Sequence, residues 1–314
     1  MTLTRLFSCQ EIQKVARWPL VIDAVGQALI TRAAGLAATP VSGQITLPNA
    51  LLHLKAGALV NPGILSIKAN LRRKGEKAVG LVVLFDTDKG EVVAILDSSD
   101  ITSMRTAALA SLAAQTLLSP GPIRVAVIGA GPVAAKTLDA LRQNSNITDL
   151  RLWSRDPKRA QALASSQPEH TEICDTPAEA VANAQLIVTA TPSPAPLLTA
   201  SDLQPGVIIL ALGADSPGKR ELDLSVLANA HIITDQTEDA LRVGECAYLP
   251  PELHSNIMGE IGDILAGKLA APRSGRQITV FDSVGSAIID ASVSQAISSS
   301  AFARGYGTSF DFAE

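Results

Sequence analysis

The stretch that most constrains the fold is residues 123–134, IRVAVIGAGPVA. An apolar run suited to a strand buried on both faces leads into Gly129, Ala130 and Gly131, and a helix-compatible segment follows. Pro132 falls where a first helical turn tolerates a missing N–H, with Val133 next. A Gly-x-Gly-x-x-Ala turn in that setting lets backbone approach a pyrophosphate, which amide groups and the positive helix end then hold. Further strand–helix alternation follows, the context the motif requires. The expectation is a dinucleotide site along Gly129, Ala130, Gly131, Pro132 and Val133. The bland alternative is a plain strand–helix turn that serves packing alone.

At 314 residues the chain is long enough for two domains, since single cores stop growing at about 250–300 residues. With 47% hydrophobic and 18% charged residues, a soluble, well-cored protein is expected. A net charge of −4 provides no basic field for nucleic acid. Cys9, Cys174 and Cys246 are widely spaced and odd in number, which fits neither a disulfide framework nor a metal quartet, and the four histidines add no ligand pair. The N-terminal residues lack a cleavable-leader pattern and no apolar run reaches the roughly 18 residues of a membrane span, so a cytoplasmic location and no membrane partner are expected.

Residues 8–36 have helical periodicity, opened by a Ser8/Glu11 capping box. Between 39 and 96, short apolar runs separated by Gly, Pro, Asn and Asp predict a partly antiparallel sheet, with Asp86-Thr87-Asp88-Lys89-Gly90 as a hairpin turn. Lys68 lies in an otherwise apolar run, where an ammonium must meet an anion or shift its pKa; His53 and Lys55 pose the same question with less force. Residues 100–118 form a strong helix that Asp100 or Thr102 can cap. Arg105 then falls near its first turn and requires an anion, either a substrate carboxylate or a neighbouring aspartate. Ser119-Pro120-Gly121-Pro122 marks the domain boundary.

Beyond it, strands near 123–128, 149–153, 171–174, 185–190, 207–212 and 231–234 alternate with helices in a doubly wound pattern. The second strand ends in Trp153-Ser154-Arg155 where an NAD-preferring fold places an acid about 20 positions past the glycines; Ser154 and Arg155 suit a 2′-phosphate, with Asp156 as a competing acid. NADPH is therefore expected, with NADH possible. Thr189, Thr191 and Asp215 belong to loops after the fourth and fifth strands, where ligands bind in such sheets. Asp215 is a candidate for proton transfer or orientation, against ordinary turn chemistry before Pro-Gly. Asp235, Glu238, Asp239, Glu245 and Glu260 are scattered as on a solvated surface, and residues 305–314 are expected to fray. A last strand, 278–281, leads through Asp282, Ser283 and Gly285 into a helix.

SIKAN with Lys68, DITSMRTAALASL with Arg105 and Thr106, VIGAGPVA, GADSPGKRELD with Asp215, and FDSVGSAIID together resemble the ornithine cyclodeaminase and mu-crystallin family over most of the chain. The resemblance implies an α/β fold: a Rossmann-type doubly wound nucleotide domain, residues 119–287, and a discontinuous α+β substrate and dimerisation domain, residues 1–118 plus 288–314. It implies a homodimer that binds NAD(H) or NADP(H). It assigns Lys68 and Arg105 to a substrate carboxylate, Asp215 to the reacting nitrogen, Thr106 to the cofactor, and Asp282, Ser283 and Gly285 to the nicotinamide end. Where cyclodeaminases carry an arginine, Pro40-Val41-Ser42 offers a serine, and His53-Leu54-Lys55 replaces a methionine and proline, so Lys55 becomes a substitute cation. The expected activity is NAD(P)H-dependent reduction of small cyclic imino acids to L-proline or L-pipecolate. The alternatives are ornithine cyclodeamination, alanine-type amino-acid dehydrogenation, and a crystallin-like protein that binds NADPH and a small ligand without turnover.

Overall fold

The computed structural model describes residues 3–40, 43–73, 76–168, 170–272 and 275–311. It divides into two compact units, Met1–Arg105 with Ser286–Glu314, and Thr106–Gly285. The first crossing lies inside a helix rather than at Ser119–Pro122, because the later half of that helix is tied to the second unit: the Ser111 hydroxyl donates to the Ala140 carbonyl. Val41 and Ser42, at the predicted serine-for-arginine exchange, lie outside the described residues.

The first unit opens with β1 (Thr4–Phe7), α1 (Cys9–Val15) and α2 (Trp18–Ala33). The Ser8/Glu11 capping box forms. The single helix expected over 8–36 is two, because Pro19 cannot donate within a continuous helix and its ring would clash with the carbonyl four residues before it; the chain breaks at Ala16 and Arg17, and Pro19 sits in the first turn of α2. Then come β2 (Ala37–Ala38), β3 (Gly43–Leu47), β4 (Ala50–Leu59), β5 (Ile64–Arg73), β6 (Val79–Asp86) and β7 (Glu91–Asp97). The expected hairpin joins β6 to β7: the Gly90 N–H donates to the Asp86 carbonyl, and the Asp86 carboxylate accepts the Asp88 and Lys89 amides. α3 (Ser99–Leu117) starts earlier than predicted, with the Thr102 N–H already donating to the Ser98 carbonyl. Asp100 and Thr102 are therefore inside the helix. Arg105 sits in its second turn, where the end dipole no longer explains its need for an anion.

The second unit contains β8 (Pro122–Ile128), α4 (Pro132–Leu141), β9 (Asn146–Trp153), α5 (Pro157–Ser165), β10 (Thr171–Ile173), α6 (Pro177–Val181), β11 (Leu186–Thr189), β12 (Ile208–Ala211), α7 (Leu224–Leu227), β13 (Ala230–Thr234), α8 (Thr237–Val243), β14 (Ile257–Glu260), α9 (Ile261–Leu265) and β15 (Ile278–Asp282). The strands lie in the order β10-β9-β8-β11-β12-β15-β13-β14, and every pairing is parallel. β11 and β12 are buried along their whole length, as strands covered on both faces must be. The chain winds from β8 outward through β9 to β10, then returns to β11 on the other side of β8. That reversal places a topological switch point between β8 and β11. Among the described strands of this unit, β14 alone went unpredicted, since IMGE is too short and too weakly apolar to signal a strand.

α10 (Ala287–Ala303) and β16 (Thr308–Phe310) return to the first unit. The tail does not fray through 308–310: β16 pairs antiparallel with β1, whose outer edge would otherwise be open. The first unit's sheet runs β16-β1-β7-β6-β5-β4-β2, with β3 also on β4. α10 lies across one face of β4 and β5 and against α2, where the Ser292 hydroxyl donates to the Ala24 carbonyl. Helix and sheet meet at backbone distance beside Gly57, where an added Cβ would stand 2.7 Å from the Ala287 carbonyl carbon. Neither element can give way without disturbing its own hydrogen bonds. Gly57→Ala is therefore expected to destabilise the first unit by about 1–3 kcal/mol, read as a lower denaturation midpoint.

Candidate functional site

In the first unit the chemistry gathers under the N-terminus of α10. β4 and β5 are antiparallel, and their register sets Lys55 directly opposite Lys68. Directly opposed residues point to the same face, so two ammonium groups meet, an arrangement that destabilises a sheet unless an anion intervenes. Asp290, in the first turn of α10, is that anion. Its Oδ2 lies 2.6 Å from Lys68 Nζ and its Oδ1 3.2 Å from Arg105 Nε. All three side chains are at most 6% exposed. The sequence left a neighbouring aspartate and a substrate carboxylate as alternatives for Lys68 and Arg105; the structure supplies the aspartate.

One carboxylate faces three cations, Lys55, Lys68 and Arg105. Burial disfavours ionisation of Asp290, yet those cations hold its carboxyl below the usual range. Burial brings Lys68 down to about 7; Asp290 opposes this, and Arg105 and Lys55 add to it. Such a concentration of cationic donors around one carboxylate is the chemistry that suits binding of an acidic ligand. His53 is half-buried on the same face as Lys55, two residues along, and lies opposite Asn70. Asn70 is held by Ser98, whose hydroxyl donates to it at 2.5 Å.

In the second unit the glycine turn occupies the switch point. Gly129 has φ +120°, and a Cβ there would lie 2.6 Å from the Ala190 carbonyl oxygen. Only glycine permits that backbone and that approach. Gly131 forms the N-cap of α4 without a side-chain cap, Pro132 begins the helix, and Ala130, Gly131 and Val133 are half-buried. Thr106, on α3, is buried. At the end of β9, Ser154 is half-buried and Arg155 exposed. Asp156 is committed elsewhere: its carboxylate caps α5 through the Lys158 and Arg159 amides and pairs with the Arg159 side chain.

Apart from Asp215, the remaining predicted residues belong to a network of buried acids. Thr189 and Thr191 hydroxyls each donate to Glu221 at 2.7 Å. Ser283 O–H and Gly285 N–H donate to Asp235, at 3.0 and 2.7 Å. Asp282 accepts the Cys246 N–H at 2.9 Å, and burial raises its carboxyl to about 7. Asp215 is half-exposed and ion-paired with Lys219. Asp235, Asp239 and Glu245 are buried, contrary to the solvated surface expected for that segment; of the five acids singled out there, only Glu238 is fully exposed. Buried Glu245 accepts the Glu221 and Leu222 amides, and half-buried Glu260 accepts the Thr237 amide. Asp290, Glu221, Asp235 and Glu245 were thus all missed as site-building residues. Among the described residues no cluster of His, Cys, Asp and Glu is arranged to hold a metal, and no helix is long and apolar enough to cross a membrane.

Residues 65–305 match the ornithine cyclodeaminase/mu-crystallin family. The chain is 32% identical over 209 residues to the ketimine reductase mu-crystallin of Mus musculus, covering 67% of this chain and 65% of that protein, so it spans just under two thirds of that relative's length. It is 30% identical over 259 residues to a Delta(1)-pyrroline-2-carboxylate reductase of Bacillus cereus, covering 79% of each. A solved archaeal structure, described as an alanine dehydrogenase dimer with bound NAD, matches with a TM-score of 0.92 and 27% identity, covering 99% of this chain and 100% of that one.

The buried acids give the second unit a defined pH response. Because Asp282 titrates near 7 when folded and near 3.8 when unfolded, the folded unit holds a proton the unfolded chain has released between those values. Stability from this group therefore falls as pH rises across that window. Asp282→Asn keeps an acceptor for the Cys246 amide and has no proton to lose. Its thermal midpoint should decline less than the wild type's between about pH 4.5 and 7.5.

Proposed function

The chain belongs to the ornithine cyclodeaminase/mu-crystallin family, and we propose that it is an NAD(P)H-dependent oxidoreductase that reduces small cyclic imino acids to L-proline or L-pipecolate. The observation that carries this reading is the cluster of buried Lys68, buried Arg105 and half-buried Lys55 focused on the single buried carboxylate of Asp290. The first unit is read as the substrate domain and the second as the nucleotide domain. The second fits a dinucleotide on its own geometry: a positive-φ glycine at the switch point, close backbone approach, and an α4 N-terminus with no side-chain cap. Ser154 and Arg155, with Asp156 engaged in capping α5, favour NADPH, and NADH remains the second substrate to test.

When bound, the reduced nicotinamide supplies a hydride. Lys68 and Arg105 hold the substrate carboxylate, with Lys55 and His53 beside Lys68 on the same face of the sheet, and fixed geometry provides much of the rate. The imine nitrogen must be protonated for its carbon to accept two electrons as hydride, leaving a secondary amine. Asp215, ion-paired to Lys219, suits stabilisation and orientation of that cationic iminium. Thr189, Thr191, Ser283 and Gly285 are engaged by Glu221 and Asp235, so they act on the cofactor by fixing loop shape. Gly129, Ala130, Gly131, Pro132 and Val133 form the phosphate-side wall.

The reading extends to a homodimer. The face of β4–β6 away from α10 is apolar and exposed, with Ile67 40%, Leu81 43% and Val79 63% exposed, and Ile45 and Leu47 of β3 beside it. A patch of this kind marks an interface, and the archaeal relative is described as a dimer. Ile67→Glu is expected to yield monomers in sedimentation analysis.

Oxidation of NADPH and of NADH, followed by absorbance against Δ1-pyrroline-2-carboxylate, Δ1-piperideine-2-carboxylate, pyruvate with ammonia, and L-ornithine, tests the activity. Turnover of a cyclic ketimine with net nucleotide oxidation is expected. Proline and ammonia from ornithine without net nucleotide change, or turnover confined to pyruvate, would replace the proposal. Lys68→Met is expected to abolish reduction while nucleotide affinity stays within about twofold of wild type.

A further inference from the structure

We propose that Glu221 is a positioning residue for the nucleotide. The inference rests on the nucleotide-binding reading of the second unit. Glu221 is fully buried in the loop between β12 and α7, and its carboxylate gathers the ends of two neighbouring strands. Oε1 accepts the Thr191 N–H and hydroxyl, both at 2.7 Å. Oε2 accepts the Thr189 hydroxyl at 2.7 Å and the Gly213 N–H at 2.9 Å. Each oxygen thus receives one backbone amide and one threonine hydroxyl, at the carboxyl ends of β11 and β12.

The residue is fixed from behind as well. Its own N–H donates to Glu245 Oε1 at 2.7 Å, and its carbonyl accepts the Leu197 N–H at 2.7 Å. The Ala190–Thr191 segment it holds is the one against which the glycine turn closes: a Cβ on Gly129 would also approach Thr191 Cγ2 to 3.1 Å. Gly213 leads within two residues to Asp215. Glu221 therefore sets the wall beside the pyrophosphate turn and the start of the loop that carries the proton-handling candidate, while touching neither ligand.

The strand order makes the consequence directional. Ser154 and Arg155, which read the adenosine ribose, follow β9 on one side of β8; β11 and β12 lie on the other side. Loss of the clamp must weaken the nicotinamide-side half of a dinucleotide and spare the adenosine half.

The test is calorimetric titration of the intact protein with NADPH, NADH, 2′,5′-ADP and 5′-AMP. It compares wild type with Glu221→Gln, whose amide turns donors toward donors, and with Thr191→Val, which removes one hydroxyl and keeps the branched shape. Glu221→Gln is expected to raise the dinucleotide Kd at least about tenfold and to leave the adenosine-half probes within about twofold. Thr191→Val should shift the dinucleotide in the same direction by about threefold, and it carries the test if the glutamine variant does not fold. Unchanged dinucleotide affinity in folded variants, or equal weakening of dinucleotide and adenosine-half probes, overturns the proposal. A wild type that binds none of the four overturns the nucleotide reading itself, and this proposal with it.

Discussion

Two lysines set opposite one another on adjacent strands, with a buried arginine beside them, cannot share the interior of a sheet domain without a counter-ion. Asp290 meets that requirement from the C-terminal helix, so electrostatics requires the last helix to return to the sheet built from residues 37–97. Gly57 then permits backbone contact, and the Ser292 bond to Ala24 fixes the helix against α2. The discontinuity of the first unit thus has a physical cause. Buried ion pairs rarely add net stability, because desolvation offsets their attraction. Removing Asp290 alone would nonetheless be costly, since it would leave neighbouring cations uncompensated.

The second unit solves a related problem with the opposite charge. Its buried carboxylates, Glu221, Glu245 and Asp235, accept backbone amides, so loop ends at the carboxyl edge of the sheet are fixed by hydrogen bonds. Burial raises the carboxyl groups of Glu221 and Glu245 above their ordinary range, which is the electrostatic cost of that arrangement. The amides themselves gain partners they would otherwise lack in a water-poor interior.

These two devices differ in how far a sequence exposes them. The glycine turn, the doubly wound strands, the 86–90 hairpin and the Ser8/Glu11 capping box follow local rules, and each was legible. Lys68 and Arg105 could be recognised as needing an anion, but Asp290 lies more than 180 positions beyond either in sequence. Nothing in AIID announces where its acid points. Asp235 and Glu245 were misread for a related reason: most of their donors are backbone N–H groups, which any residue type can supply and whose spacing therefore reveals nothing. Pro19 was legible and given too little weight, for a proline fits the first turn of a helix and so marks a new helix start. β16 depended on an open strand edge about 300 residues upstream, which no local pattern encodes.

The cation cluster also bears on how an acidic ligand would be taken up. Paired with Asp290, Lys68 is still brought down to about 7, because burial and two neighbouring cations offset that attraction. A substrate carboxylate placed beside it, as proposed, would favour the protonated lysine. Ligand binding and proton uptake at Lys68 are then linked: the affinity for an acid and the affinity for a proton rise together by the same factor. On the proposed reading, a buried lysine held near 7 would thereby couple recognition of a carboxylate to its own charging, without any change in fold.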